Sequence, residues 1–243
     1  MREIVLDTET TGFEPSEGDR IVEIGAIELV NHMPTGRTYH QYINPKRSMP
    51  LGAYEIHGIG PDLREPPEDP KPGQVTLRDK PVFADIAQAF VDFVGDAKLV
   101  IHNAAFDMKF INHHLTEMGS PAIPATRIID SLTMARQKFP GSPASLDALC
   151  KRFHVDNSSR TLHGALLDSE ILAEVYLELL GGRQTGLTLG DNNIGNQNQI
   201  ETLDVKSKKT KREPRLFEIP VDELSSHAVM IDDLGAKAMW KKA

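Results

Sequence analysis

The sequence has a single cysteine, Cys150, in 243 residues, so no disulfide can form within the chain and a reducing setting is expected. It has no apolar run long enough to span a bilayer, and its first residues lack the apolar stretch of a secretory signal. A soluble, cytoplasmic protein with no membrane role follows as the expectation. Positive charge is also scarce. The formal net charge of −8 excludes a protein held on a polyanion by bulk electrostatics alone. Acid surplus is confined to residues 1–180, whereas 181–243 is close to balanced and contains the only tryptophan, Trp240. No internal repeat is visible. With 40% apolar residues, the chain can bury one domain of roughly 150 to 200 residues and leave a remainder.

What is present reads as a strand-first α/β pattern. "REIVLDTE", "RIVEIGAIELV" and "TYHQYIN" predict a meander of strands, and "PLGAYEIHGI" contains a short helix. Residues 61–81 hold six prolines, which neither helix nor central strand tolerates, so a long surface loop is expected there. Phe83, Ile86, Phe90 and Val94 recur at helical spacing, "KLVIHN" follows as a strand, and helix resumes at Ala104 with Asn103 as its expected cap. "RIID" predicts the last strand. Helices are then expected around "SLTMARQKF", "SLDALCKRF" and "LHGALLDSEILAEVYLELL", ending at Gly181-Gly182. His113 and His114 read as solvated helix residues.

Four acids break this pattern. Asp7 and Glu9 stand two apart at the end of an apolar strand and therefore share a face. Asp107 precedes Phe110 and Ile111, and Asp168 precedes Ile171, Leu172, Val175 and Leu179, so both lie on apolar helix stripes. Unpaired buried charges cost several kcal/mol each, on the order of what a small fold can spare, and no Lys or Arg is spaced to pair with all four. Two divalent cations, Mg2+ or Mn2+, would resolve the conflict, because hard oxygen ligands select them and such a cluster holds a phosphodiester for hydrolysis. His163 lies five residues before Asp168. In one helix that spacing would place them about 140° apart, so His163 is expected in the loop or first turn, reaching across as general base.

The wording "DTET", "HNAAFD" and "HGALLD" resembles the three motifs of the DEDDh 3′ to 5′ exonucleases. The longer stretches "IVLDTETTG", "LVIHNAAFD", "SLDALC" and "RTLHGALLDSEILAEVYL" resemble the epsilon family of bacterial DNA polymerase III, its proofreading subunits. That resemblance implies a ribonuclease H-like fold, a mixed five-stranded sheet flanked by helices, with a flexible C-terminal tail. It implies removal of mispaired nucleotides from single-stranded or frayed DNA 3′ ends. By position, Asp7 would bridge both ions, Glu9 and Asp168 would complete one ion site, Asp107 would support the other, and His163 would be the base. His57 and Ile56 match positions that contact the terminal nucleotide.

The resemblance also divides the chain into an exonuclease domain at 1–182, a clamp motif and linker at 183–215, and a polymerase-binding segment at 216–243. In "QTGLTL", Gln184, Leu187 and Leu189 resemble weak anchors for the sliding clamp. The last segment resembles the part that attaches to the polymerase catalytic (alpha) subunit. The proline-rich stretch at 61–81 is longer than the resemblance leads us to expect. Two other readings compete: a 3′ exoribonuclease, which would share the five site residues but need no adhesive tail, and an idle bridging subunit, against which the full set of site residues argues.

Overall fold

A computed structural model describes residues 1–158, 162–182 and 220–235. Packing divides the chain into two units, Met1–Leu189 and Gly190–Ala243, each taken by itself. In the first, strands β1 (Arg2–Thr10), β2 (Ile21–Val30), β3 (Met33–Tyr42), β4 (Lys98–Ile101) and β5 (Ile128–Asp130) form one sheet in the order β3-β2-β1-β4-β5. The first three are an antiparallel meander, and β4 and β5 run parallel to β1, giving the mixed sheet that the family resemblance implies.

Period-two alternation separates the two faces of this sheet. Ile4 and Leu6 point to one face, where Phe90 of α2 (Phe83–Val94) and Phe110 and Ile111 of α3 (Ala104–Glu117) cover them. Val5 and Val100 point to the other, packed with helices α4 (Ser131–Lys138), α5 (Leu146–Phe153) and α6 (Ala165–Leu179) through Ala135, Leu149, Leu172 and Val175. Burial of each such large side chain contributes on the order of 1.5–3 kcal/mol. β1 thus lies in the middle of the domain with both faces covered, and its C-terminal end carries Asp7 and Glu9.

Local signals set the helix ends. Ser145 caps α5 by accepting from the Ala148 amide at 3.3 Å. Gly181 and Gly182 close α6 through bonds to Glu178 and Leu177, both with positive φ, so the expected stop is where the sequence places it. Two expectations fail. Asn103 occupies the cap position of α3 but has φ +64 and makes no capping bond; the chain turns left-handed there, and the Asn103 N–H donates to Asp130 Oδ1 at 3.1 Å. His114 is buried rather than solvated, stacked on Phe83 with ring centroids 4.6 Å apart, and its Nε2 accepts from the Ile21 amide. Burial pushes its pKa down to about 4. His113 is half-buried beside Glu117.

The short helix α1 (Leu51–His57) leads into the proline-rich stretch, which has no helix or strand beyond a single turn at Pro61–Leu63. It is nonetheless anchored: Leu77 is fully buried with Val22, Met49 and Ile59. In the second unit, α7 (Val221–Leu234) is a separate helix. Among the described residues no helix is long and apolar enough to cross a membrane. Gln184, Leu187, Leu189 and Trp240 lie outside the described residues.

Candidate active site

Asp7, Glu9, Asp107, His163 and Asp168 all line one cleft of about 300 Å3 at the end of β1. They reach it from opposite sides of the sheet. Asp7 and Glu9 share the face that α6 covers, and Asp168, in the first turn of α6, meets them there. Asp107 comes from α3 on the other face. Thr8, which alternation turns toward α3, receives it: its amide and hydroxyl both donate to Asp107 Oδ1, at 3.1 and 2.7 Å. The cleft also holds Asp147, His102, Phe106 and Ser145, and among the described residues no Lys or Arg lines it.

His163 sits two residues before α6, outside the helix, in the position its five-residue spacing from Asp168 predicts. Its amide donates to the Ile56 carbonyl at 3.1 Å, which ties the loop to the end of α1. Its Nδ1 lies 3.2 Å from Asp168 Oδ2, and 48% of the side chain remains exposed. Ligand atoms of Glu9, His163 and Asp168 all lie within 4.8 Å of one another.

The electrostatics of the cluster are unfavourable for a protein standing alone. Burial, then the neighbouring Asp107, Glu9, Asp168 and Glu23, holds the Asp7 carboxyl well above the ordinary carboxylate range. Burial raises Asp107 to about 7, although the Thr8 hydrogen bonds pull the other way. Oxygen donors crowded at this density fit hard divalent ions.

A second cavity of about 650 Å3 adjoins the cleft, sharing Thr8, Glu9 and Phe106 with it. Ile56 and His57 line it, with Phe13 at its rim, 75% exposed. His57 is buried; its Nδ1 accepts from the Ile59 amide at 3.0 Å, so the neutral ring carries its proton on Nε2. That atom is buried and has no hydrogen-bond partner of good geometry. Burial pushes the His57 pKa down to about 4, so the ring is neutral at pH 7.

With this geometry in view, comparisons with known proteins are decisive. A family described as an exonuclease, RNase_T, matches residues 4–176. The DNA polymerase III subunit epsilon of Rickettsia felis is 48% identical over 96% of this chain and 97% of its own, and that of Escherichia coli is 40% identical over 99% and 97%. The chain belongs to the DNA polymerase III epsilon family of exonucleases. Among solved structures, exonuclease X in complex with 5′ overhanging duplex DNA aligns with a TM-score of 0.53 at 24% identity, covering 73% of this chain and 90% of that one. The shared fold is ribonuclease H-like.

In this epsilon-family chain the site depends on residues that the motifs do not include. Glu23 of β2, paired across from Glu9, is buried; its Oε2 accepts from the Ala165 amide at 3.0 Å and its Oε1 lies 2.7 Å from His40 Nε2. It therefore clasps the N-terminus of α6, where a carboxylate also suits the helix dipole. Gly25, two residues on, lets that helix touch the sheet: a Cβ there would fall 2.2 Å from the backbone of Ala165 and Leu166. Ser169 Oγ donates to the Gly25 carbonyl at 2.9 Å, and near the far end of α6 the Tyr176 hydroxyl donates to buried Glu3 at 2.8 Å. These contacts fix the helix that delivers Asp168. The available sequence signal was an acid and a glycine, Glu23 and Gly25, inside the otherwise apolar "RIVEIGAIELV".

Proposed function

We propose that the chain is a 3′ to 5′ exodeoxyribonuclease that proofreads for a bacterial replicative DNA polymerase. The observation that carries the reading is the convergence of Asp7, Glu9, Asp107, Asp168 and His163 on one cleft beside a nucleotide-sized cavity. Relatives named DNA polymerase III subunit epsilon over nearly the whole chain support the assignment to replication.

Asp7, Glu9 and Asp168 would hold one divalent ion, Mg2+ or Mn2+, and Asp7 with Asp107 a second. The ions, when bound, supply charge neutralisation for the phosphodiester and activation of water. The chain's own groups do the rest. His163, with its Nδ1 proton donated to Asp168, presents Nε2 as the base that takes the proton of the attacking water. Ile56 and His57 hold the terminal nucleotide in the adjoining cavity, His57 as part of its wall and Ile56, 45% exposed, as a wedge beside the last base. A mispaired end frays readily, and only an unpaired strand reaches such a cavity, so editing follows from the shape of the site.

The tail completes the reading. We assign 1–182 as the nuclease, 183–215 as linker with the weak clamp contacts Gln184, Leu187 and Leu189, and 216–243 as the segment that binds the polymerase alpha subunit. In support, α7 exposes the large apolar side chains Val221, Leu224, Val229, Met230 and Leu234, spread around the helix.

Digestion of a 5′-labelled single-stranded DNA with Mg2+ tests the reading. A ladder shortened one nucleotide at a time from the 3′ end is expected, with His163→Ala slowing it about 10^2- to 10^4-fold, the usual scale of general-base loss, while ion binding persists. Parent-like rates for the variant would remove His163 from the reaction, and preference for RNA over DNA would favour the exoribonuclease reading.

A further inference from the structure

The proline-rich segment between α1 and α2 is built as a strap. Asp62 folds it back on itself, accepting from the Leu77 and Arg78 amides at 3.0 and 2.9 Å. Asn44, buried just after β3, joins the strap to the 44–49 loop: its Nδ2 donates to the Arg78 carbonyl at 2.7 Å and its Oδ1 accepts from the Lys46 amide at 2.9 Å. Its own N–H donates to Pro81, and the Met49 amide donates to Leu63.

Strap and loop together enclose a shallow basin of about 470 Å3 lined by Lys46, Arg47, Arg64 and Arg78 beside Asp62 and Glu65, with Asp19 and Glu68 pairing Arg47 and Arg64 at its edges. The guanidinium groups are held in place. Arg47 Nη1 donates to Asp19 Oδ1 at 2.7 Å, Arg64 pairs with Glu68 and lies over the Tyr54 ring at 4.8 Å, and Arg78 Nη2 donates to the Asp62 carbonyl at 2.6 Å. Each keeps further N–H donors, because a guanidinium has five. Lys46 is exposed on a backbone held at φ +54, a conformation that its Asn44 bond sustains.

The contrast with the site is one of sign. Among the described residues no Lys or Arg lines the cleft or the adjoining cavity, and Glu9, Glu14, Glu17 and Asp19 stand in the cavity wall, with Lys109 paired to Glu14 behind it. A strand carrying one charge per nucleotide is repelled there by a chain of net charge −8, unless fixed cations hold it at the entrance. Asp19 of the cavity wall is the residue that pairs with Arg47 of the basin, so the two surfaces are continuous. We propose that this basin holds backbone phosphates of the DNA whose 3′ end lies in the site, a role that rests on the exodeoxyribonuclease reading above. The proline-rich strap would then be a DNA-holding element, giving the chain affinity for long substrates without adding charge at the cleft.

The test compares two substrates in the full-length chain with Lys46→Glu and with the double variant Lys46→Ala/Arg78→Ala. The p-nitrophenyl ester of thymidine 5′-monophosphate reaches only the cleft and its cavity; a labelled primer annealed to a template also reaches the basin. Turnover of the small ester is expected to be unchanged. On primer-template, kcat/KM should fall about tenfold at low salt, and its log-log salt slope should become shallower by about 1 for each cation removed. Parent-like kcat/KM and salt slope on DNA would overturn the proposal, and so would equal losses on both substrates, which would place the effect in the fold. Failure of the parent chain to cleave either substrate would instead overturn the exodeoxyribonuclease reading itself.

Discussion

Replacing Asp7 by alanine is expected to abolish strand shortening and, at the same time, to raise the melting temperature of the ion-free protein. Both follow from one placement. Asp7 stands at the end of a strand covered on both faces, where burial and then Asp107, Glu9, Asp168 and Glu23 all oppose its ionisation. Removing it relieves the repulsion within the fold, yet it also removes the carboxylate central to the proposed ion cluster. A loss of at least about a thousandfold in rate is expected, equivalent to roughly 4 kcal/mol of transition-state stabilisation. Calorimetry of the two proteins with EDTA and a digestion assay with Mg2+ measure the two halves. A variant that loses activity only because it melts earlier would contradict this account.

The second large effect is in pH. The Asp107 carboxyl titrates at about 7 in the folded protein, against about 4 for an unfolded aspartate. The folded state therefore holds the proton more tightly, and ion-free stability falls as pH rises from about 4 to about 7, levelling off above. For Asp107 alone that window is worth a few kcal/mol at most. On the proposed reading, ions would bind the deprotonated cluster and reverse the loss, so the gain in melting temperature from saturating Mg2+ or Mn2+ should be larger at pH 8 than at pH 5.5. An equal gain at both values, or none, would show that these carboxylates are not where the ions act.

Much of this was legible because local rules and tertiary structure agree. The apolar run before Asp7 made β1, the i, i+3, i+4 stripes of α2 and α6 made their buried faces, and the five-residue gap placed His163 outside the helix. The misreadings have physical causes. Asn103 follows the statistics of caps on extended backbone, but here the chain must turn sharply from β4 into α3, and a left-handed residue makes that turn. For His114 polarity and position conflict: a histidine favours solvent, but its seven-residue spacing from Asp107 puts it on the same apolar stripe, and the stripe wins, with Phe83 stacked on it. Glu23 escaped notice because its purpose depends on an amide 142 residues away, at Ala165. The six prolines excluded regular structure from 61–81, but only the tertiary contacts of Asn44 and Leu77 make that stretch a strap.

The central claim is editing of DNA 3′ ends by the cleft at the end of β1. Its most direct test is the initial rate of Mg2+-dependent shortening of a 5′-labelled primer on a template, with the terminal pair matched or mismatched, for the parent chain and Asp7→Ala. The account predicts faster removal of the mismatched nucleotide by the parent and no shortening by the variant. Equal rates on both ends, or shortening that survives loss of Asp7, would contradict it.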